Sequence, residues 1–396
     1  MNTDSITPLI GNADAFPILS RYDFFNHAGV SPLPRAAAEA IRQYAQQAES
    51  AAYLGAGWHR QIEQLRDLCA RMVNAHHDEI AFVKNTSEGL ATVAKGLQWT
   101  AGDRVVLTSV EYPANVYPWF DLRQRLGVEL VMVPEESRPD GTRCVPLEQI
   151  LQEARHPRTR LVALSHVEYA SGQRNDLAAV GTACRKLGKL FCVDSIQSLG
   201  ALPVDVQAMS IDFLAADGHK WLLGPEGAGL FYVRRELIPQ LQPLSIGWMN
   251  VINADDYGTY DFTLKPDAGR YECGTHNIPG LLGLKASIEL LLGADIGNVS
   301  NRIKSLSDRL VAGLRSRGYV VVSPRDGGNW SGIVSFTSPA REHQQVARSL
   351  RKDHRTEIAV REGRLRVSAH FYNTETQIDR LVEALGSETV CRGNPY

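Results

Sequence analysis

From about residue 80 to residue 235, short apolar runs alternate with stretches whose apolar positions recur at helical spacing. The segments 104–109, 129–133, 160–165, 190–193 and 212–216 read as strands, and 87–97, 118–126, 146–155 and 177–187 as the helices between them. Strands nearly continuous in Val and Leu lack a polar face and suit a sheet covered on both sides. Their alternation with helices predicts parallel pairing through right-handed crossovers. In such sheets ligands bind at the carboxyl ends of the strands. Beyond about residue 280, helices at 281–292, 300–317, 344–351 and 374–385 mix with strands at 319–322, 332–336 and 364–368. That mixture predicts a smaller α+β unit. The segment Phe24-Phe-Asn-His-Ala-Gly-Val-Ser-Pro32 is expected to pack on this unit or to reach the site.

Composition adds limits rather than a function. A chain of 396 residues, 44% hydrophobic and 22% charged, suits a globular protein of two or three domains. A net charge of −2 makes no electrostatic case for nucleic acid or an anionic membrane as partner. The first residues, Met1-Asn-Thr-Asp-Ser-Ile-Thr-Pro8, lack the basic and apolar regions of a secretory signal. Six cysteines are scattered without a CxxC pair, which fits reduced thiols and a cytoplasmic location. His76-His-Asp-Glu79 reads as a solvated turn, so no metal is expected.

The candidate chemistry centres on Lys220. An apolar strand ends in Ala216-Asp-Gly-His-Lys-Trp-Leu-Leu-Gly-Pro225, and another, Leu190-Phe-Cys-Val-Asp194, ends on an acid with Gln197 three residues later. An amine and a carboxylate at the ends of two strands meet the needs of pyridoxal phosphate (PLP): a lysine to form the imine and an acid to keep the pyridine nitrogen protonated. Thr86 and Ser87 open a helix, whose free N–H groups suit a phosphate.

These segments, with Asn85-Thr-Ser-Glu-Gly89, Arg270-Tyr-Glu-Cys-Gly-Thr-His-Asn277 and Leu365-Arg-Val-Ser-Ala-His-Phe-Tyr-Asn-Thr374, resemble the class V aminotransferase family across nearly the whole chain. That family includes cysteine desulfurases, selenocysteine lyases, isopenicillin N epimerases and kynureninases. The resemblance implies an α/β fold of the PLP-dependent transferase fold type I, with a mostly parallel seven-stranded sheet. It divides the chain into an N-terminal arm (1–30), a large PLP-binding domain (31–280) and a small C-terminal α+β domain (281–396). Lys220 would carry the Schiff base and act as base at the substrate Cα; Asp194 would pair with the pyridinium, and Gln197 would bond the ring's phenolic oxygen. Thr86, Ser87 and His219 would hold phosphate, with His219 alternatively orienting the lysine, and Tyr112 would stack on the ring. Gly274 and Thr275 would reach the partner subunit's phosphate, making the enzyme a homodimer with shared sites. Arg366 would grip the substrate carboxylate, with Asn26, His27 and Tyr169 near the substrate, whereas Arg361 and Arg364 read as surface residues.

Some positions depart from the family's pattern. Asp217 stands where a phosphate-binding Ser is common, so it must point away or be balanced by a cation. Glu168 and Tyr169 replace a Ser-Asn pair and are expected to bear on specificity. The segment Glu357-Ile-Ala-Val-Arg-Glu-Gly-Arg-Leu-Arg366 is short and lacks the reactive Cys of desulfurases. The expected activity is therefore a reaction at Cα/Cβ of an amino acid, favouring β-elimination as in a C–S lyase. Transamination and epimerisation remain open, as does a non-catalytic regulator.

Overall fold

The structure, a computed structural model, describes residues 5–386. Its largest sheet has seven strands: β1 (Ile80–Val83), β2 (Arg104–Thr108), β3 (Glu129–Val133), β4 (Thr159–Ser165), β5 (Leu190–Asp194), β6 (Phe213–Asp217) and β7 (Gly229–Val233). The spatial order is β1-β7-β6-β5-β4-β2-β3, with β7 alone antiparallel to its neighbours. Side chains of one strand alternate between two cores, as the period of two requires. Phe82, Val106, Leu164, Val193 and Leu214 enter one core; Ala81, Val105, Ala163, Cys192 and Phe213 enter the other. The edge strand β3 is only partly buried, unlike the fully buried β1, β2, β6 and β7.

Helices cover both faces. α3 (Thr86–Gly96) and α4 (Tyr117–Leu126) close one core; α2 (Trp58–Val73) and α6 (Leu177–Leu187) enter the other, with α1 (Arg35–Ala51) and α5 (Leu147–Ala154) alongside them in the chain. The strands β1 and β7, and helices α1 and α2, carry no strong sequence signal in the reading above. The four-residue β1 is too short to show a period, and Ala- and Gln-rich α1 buries only Ala37. α7 (Ile278–Ala294), expected to open the C-terminal domain, packs into the large core through Leu281, Leu284, Ile288 and Leu291.

A second, antiparallel sheet follows: β8 (Val320–Val321), β9 (Ile333–Thr337), β10 (Ala359–Arg361) and β11 (Arg364–Ser368), in order β8-β9-β11-β10. With α8 (Ile296–Ser316), α9 (His343–His354) and α10 (Glu375–Leu385) it forms a separate core around Leu310, Phe336, Leu365 and Leu381. The N-terminal arm does both things expected of it. Asp23–Phe24 pairs with Thr356–Glu357, and Phe25 enters the small core. Ala28, Gly29 and Val30 then line the main pocket. Among the described residues no helix is long and apolar enough to cross a membrane.

Candidate active site

The carboxyl ends of β1, β2, β4, β5 and β6 share one edge of the large sheet, and the chain leaves each of them carrying a residue expected at the site. A cavity of about 460 Å³ lies there, lined by Thr86, Ser87, Tyr112, Asp194, Gln197 and Lys220 among others. Asn26, Tyr169, His219 and Arg366 line it too. Ten of the expected residues thus converge on one pocket from seven chain segments.

Lys220 is 8% exposed and sits on a tight loop. Gly218 N–H donates to Ala228, Gly224 N–H donates back to Gly218, and Leu223 N–H donates to Lys220. A Cβ at Gly218 would lie 2.7 Å from the Ala228 oxygen, so no larger residue fits there. Leu223 adopts φ 57, a left-handed conformation costly for a non-glycine residue, and Ser287 Oγ holds its carbonyl at 2.8 Å. Burial lowers the Lys220 ammonium to about 8, against the opposing pull of Asp194. Its Nζ lies 5.5 Å from the Tyr112 ring centre. Burial raises the Asp194 carboxyl to about 6, although Ile196 N–H donates to its Oδ1 at 3.0 Å.

One end of the pocket is built on α3. Asn85 caps it by accepting from Glu88 N–H at 3.0 Å, which leaves the first N–H groups without acceptors inside the helix. Thr86 Oγ1 accepts from Asp217 N–H at 3.0 Å, so its own proton is free to donate. Gly89 lets α3 lie on the sheet, since a Cβ there would stand 2.7 Å from Ala215 Cβ. Asp217 does not point away. It is 4% exposed, and its Oδ2 lies 2.9 Å from His219 Nδ1, without hydrogen-bond geometry. Of the two outcomes expected for this acid, pointing away is not what the structure shows, since Asp217 lines the pocket beside His219.

Arg366 is 1% exposed, donates to the Tyr169 carbonyl at 2.8 Å, and reaches Asn26 Oδ1 at 3.5 Å. Its Nε has no partner. No ion pair satisfies it among the described residues, so an anionic ligand is what the site lacks. Arg361, expected on the surface, also lines the pocket although exposed. Arg364 instead pairs with Glu135 at 3.2 Å.

Four expected residues lie elsewhere. His27 is wholly buried between Ser368 O (2.8 Å from Nδ1) and Tyr372 Oη (2.6 Å from Nε2), so both nitrogens are used and it does not line the pocket. Burial holds it well below the ordinary histidine range. Glu168 is also wholly buried, behind the pocket, accepting from Thr108 Oγ1 and Asn175 Nδ2. Burial and neighbouring Glu111 push its carboxyl well up, and it does not line the pocket. Gly274 and Thr275 line a different cleft with Lys84, Gly227 and Asn277. His77 sits between Glu63 and Asp67, and no cluster placed to hold a metal occurs among the described residues.

The donor set fits PLP. A buried carboxylate, a buried amine and an aromatic face line one cavity with a helix start and a free hydroxyl that suit a phosphate. A family model for class V aminotransferases matches residues 23–381. The chain belongs to the class V aminotransferase family. A probable cysteine desulfurase of Methanothermobacter thermautotrophicus is 32% identical over 93% of this chain and 95% of its own length. The apo cysteine desulfurase of Thermococcus onnurineus NA1 superposes with TM-score 0.85 at 28% identity, covering 94% of this chain and 96% of that one. The cystine C–S lyase C-DES, in complex with its product cysteine persulfide, superposes with TM-score 0.82 at 26% identity, covering 93% and 98%. A mutant of C-DES with glycine covalently linked to its PLP cofactor superposes with TM-score 0.84 at 26% identity.

Proposed function

We propose that this class V protein binds PLP and cleaves the C–S bond of a cysteine-type amino acid by β-elimination, without an enzyme thiol. The observation that carries this is a pocket joining Lys220, Asp194 and Arg366 with no cysteine among its described lining residues. Cys391 lies outside the described residues, and Cys273 borders the other cleft. A desulfurase needs a thiol to take sulfur from its substrate; without one, sulfur leaves with the product.

When bound, PLP supplies an electron sink conjugated to the substrate Cα. The residues do the rest. Arg366 takes the α-carboxylate through parallel hydrogen bonds and so points the Cα–H bond at Lys220. Lys220 Nζ, neutral in a large fraction of molecules near pH 8, removes the Cα proton. Asp194 keeps the pyridine nitrogen protonated, Tyr112 covers the ring, and Thr86, Ser87 and His219 hold the phosphate. The net change for cysteine is cysteine plus water giving pyruvate, ammonia and sulfide. Purified protein supplied with PLP and cysteine or cystine is expected to release pyruvate, measured with a coupled reductase assay. Alanine with a protein-bound persulfide would overturn the elimination reading.

Arg366→Ala is expected to raise the KM for an α-amino acid by about 30-fold or more, since truncating one member of a buried charged pair costs roughly 2–5 kcal/mol. Steady-state kinetics decide it; an unaltered KM removes the carboxylate role.

We further propose a homodimer with shared sites. A PLP phosphate carries nearly two negative charges, and the pocket's phosphate end offers His219 beside the acid Asp217. Gly274 and Thr275 lie outside their own pocket, and Ile246, Trp248, Tyr257, Tyr260 and Phe262 form a run of exposed apolar side chains upstream of them. Both facts suit a second copy that covers the run and completes the phosphate site. Lys220→Ala subunits mixed with Thr275→Asp subunits are expected to recover about a quarter of native activity, because half the dimers then own one intact site. No recovery in mixtures shown to exchange subunits would refute sharing.

A further inference from the structure

Trp221 follows Lys220 in the chain but does not line the pocket, and its side chain is wholly buried. Its indole Nε1 donates to Gln197 Oε1 at 3.1 Å. Gln197 Nε2 in turn donates to the carbonyl of Ala28, on the N-terminal arm, at 3.1 Å. We propose that Trp221 is a positioning residue that sets the direction of the Gln197 amide, so that Gln197 offers the pocket a hydrogen-bond donor and not an acceptor.

The argument rests on what each group can do. An indole N–H only donates, and a peptide carbonyl only accepts. Rotating the Gln197 amide by half a turn would set its NH₂ against the indole N–H and its oxygen against the Ala28 oxygen. Both hydrogen bonds would become repulsive contacts between buried groups, so one orientation is enforced. One Nε2 hydrogen is used by Ala28, and the other is what Gln197 has left for a ligand.

The indole itself is held by the small domain. A Cβ at Gly332, beside β9, would stand 2.5 Å from Trp221 Cη2, so the ring is seated against that backbone. The Trp221 carbonyl accepts from His370 Nε2 at 3.1 Å. His370 Nδ1 accepts from Phe371 N–H at 2.9 Å, which assigns the proton to Nε2. Burial lowers His370 to about 4, and the ring is therefore neutral around pH 7. The small domain and the arm thus decide, through Trp221 and Ala28, which atom Gln197 presents.

This inference rests on the PLP reading above. A donor facing the ring hydroxyl oxygen stabilises negative charge there and lowers the pH at which the proton shared with the Lys220 nitrogen is lost. The test reads visible absorption of the PLP-loaded protein against pH in native protein, Trp221→Phe, Gln197→Leu and the double variant. Trp221→Phe is expected to raise the titration midpoint by about one pH unit, the order of a hydrogen bond to a charged atom. In the Gln197→Leu background the same replacement is expected to add no shift, because Trp221 acts through that amide. Equal shifts in both backgrounds, or none in either, would overturn the proposal. Should Trp221→Phe not fold, Gln197→Glu with Trp221 intact puts an oxygen where the donor stood, and its midpoint must also rise; an unmoved midpoint refutes the donor. Absence of a visible band at every pH in native protein would instead refute PLP binding itself.

Discussion

Replacing Lys220 by alanine is expected to abolish the visible band of the PLP-loaded protein, near ~420 nm, and to lower turnover by at least about 10³-fold. Lysine is the only primary amine among the pocket's lining residues, so no neighbour can take over attachment. The same residue would remove the Cα proton, and a positioned base is itself worth about 10²–10⁴-fold. A retained band would remove Lys220 from the attachment role. Retained turnover with a lost band would separate attachment from proton removal. The replacement also has a predictable effect on the apo-protein. A lysine lowered to about 8 destabilises the fold while it is charged. The folded state binds fewer protons than the unfolded state between about pH 8 and pH 10.5, so native stability rises through that window. The variant lacks this rise. Below pH 8 it is expected to be more stable than native by up to about 3 kcal/mol, less the packing lost with the side chain. Urea titrations at pH 7 and pH 10 measure the difference; a gap that does not shrink at the higher pH would contradict a neutralised buried amine.

Asp194→Asn is expected to lower turnover by between about 30-fold and several thousand-fold while making the apo-protein more stable at neutral pH. The two effects have one cause. Asp194 is 2% exposed, and burial raises its carboxyl from 3.8 to about 6. Without PLP, the ionised carboxylate is poorly solvated, and Lys220 compensates only in part. The folded state binds more protons than the unfolded state between about pH 4 and pH 6, so native stability falls as pH rises through that range. Asparagine does not ionise. The variant's advantage is expected to be absent below pH 4, to grow through pH 6 and to reach up to about 3 kcal/mol above it. Bound PLP is expected to reverse the preference, because a protonated pyridine nitrogen would pair with a carboxylate and not with an amide. Thermal melts of apo and loaded protein at pH 4.5 and 7.5 check this. Equal stabilities of both apo-proteins at pH 7.5 would show that Asp194 is not held at a cost, as a preorganised partner must be.

Much of the site was legible because its residues sit at fixed points of a repeating pattern. Each apolar run ends where a strand leaves the sheet, and parallel strands linked by helices bring those ends to one edge. Asp194 and Lys220 follow from that rule and Thr86 from a helix start, whereas Tyr112 was expected from the family resemblance. Residues off that pattern were harder. His27 and Asn26 are neighbours in an arm of irregular backbone, yet Asn26 reaches the pocket while His27 is locked against Ser368 and Tyr372. Tyr169 and Glu168 are also neighbours, and only the tyrosine lines the cavity. Arg361 was set aside as a surface residue, and it does remain exposed while lining the pocket.

While Arg366 was expected from the family resemblance, the amino-acid sequence by itself determined the large, mostly parallel sheet, the edge on which the candidate site is built, and its amine and carboxylate. Those depend on local periodicity and on residue chemistry, which a linear reading contains. Only the tertiary structure decided how deep each side chain lies and which way each polar atom points. The direction of the Gln197 amide shows why: it is set by Trp221 and by Ala28, 169 residues away, and each of those is held by the small domain. Such choices arise from contacts between distant segments, where one donor must face one acceptor, and no local pattern of apolar and polar positions records them.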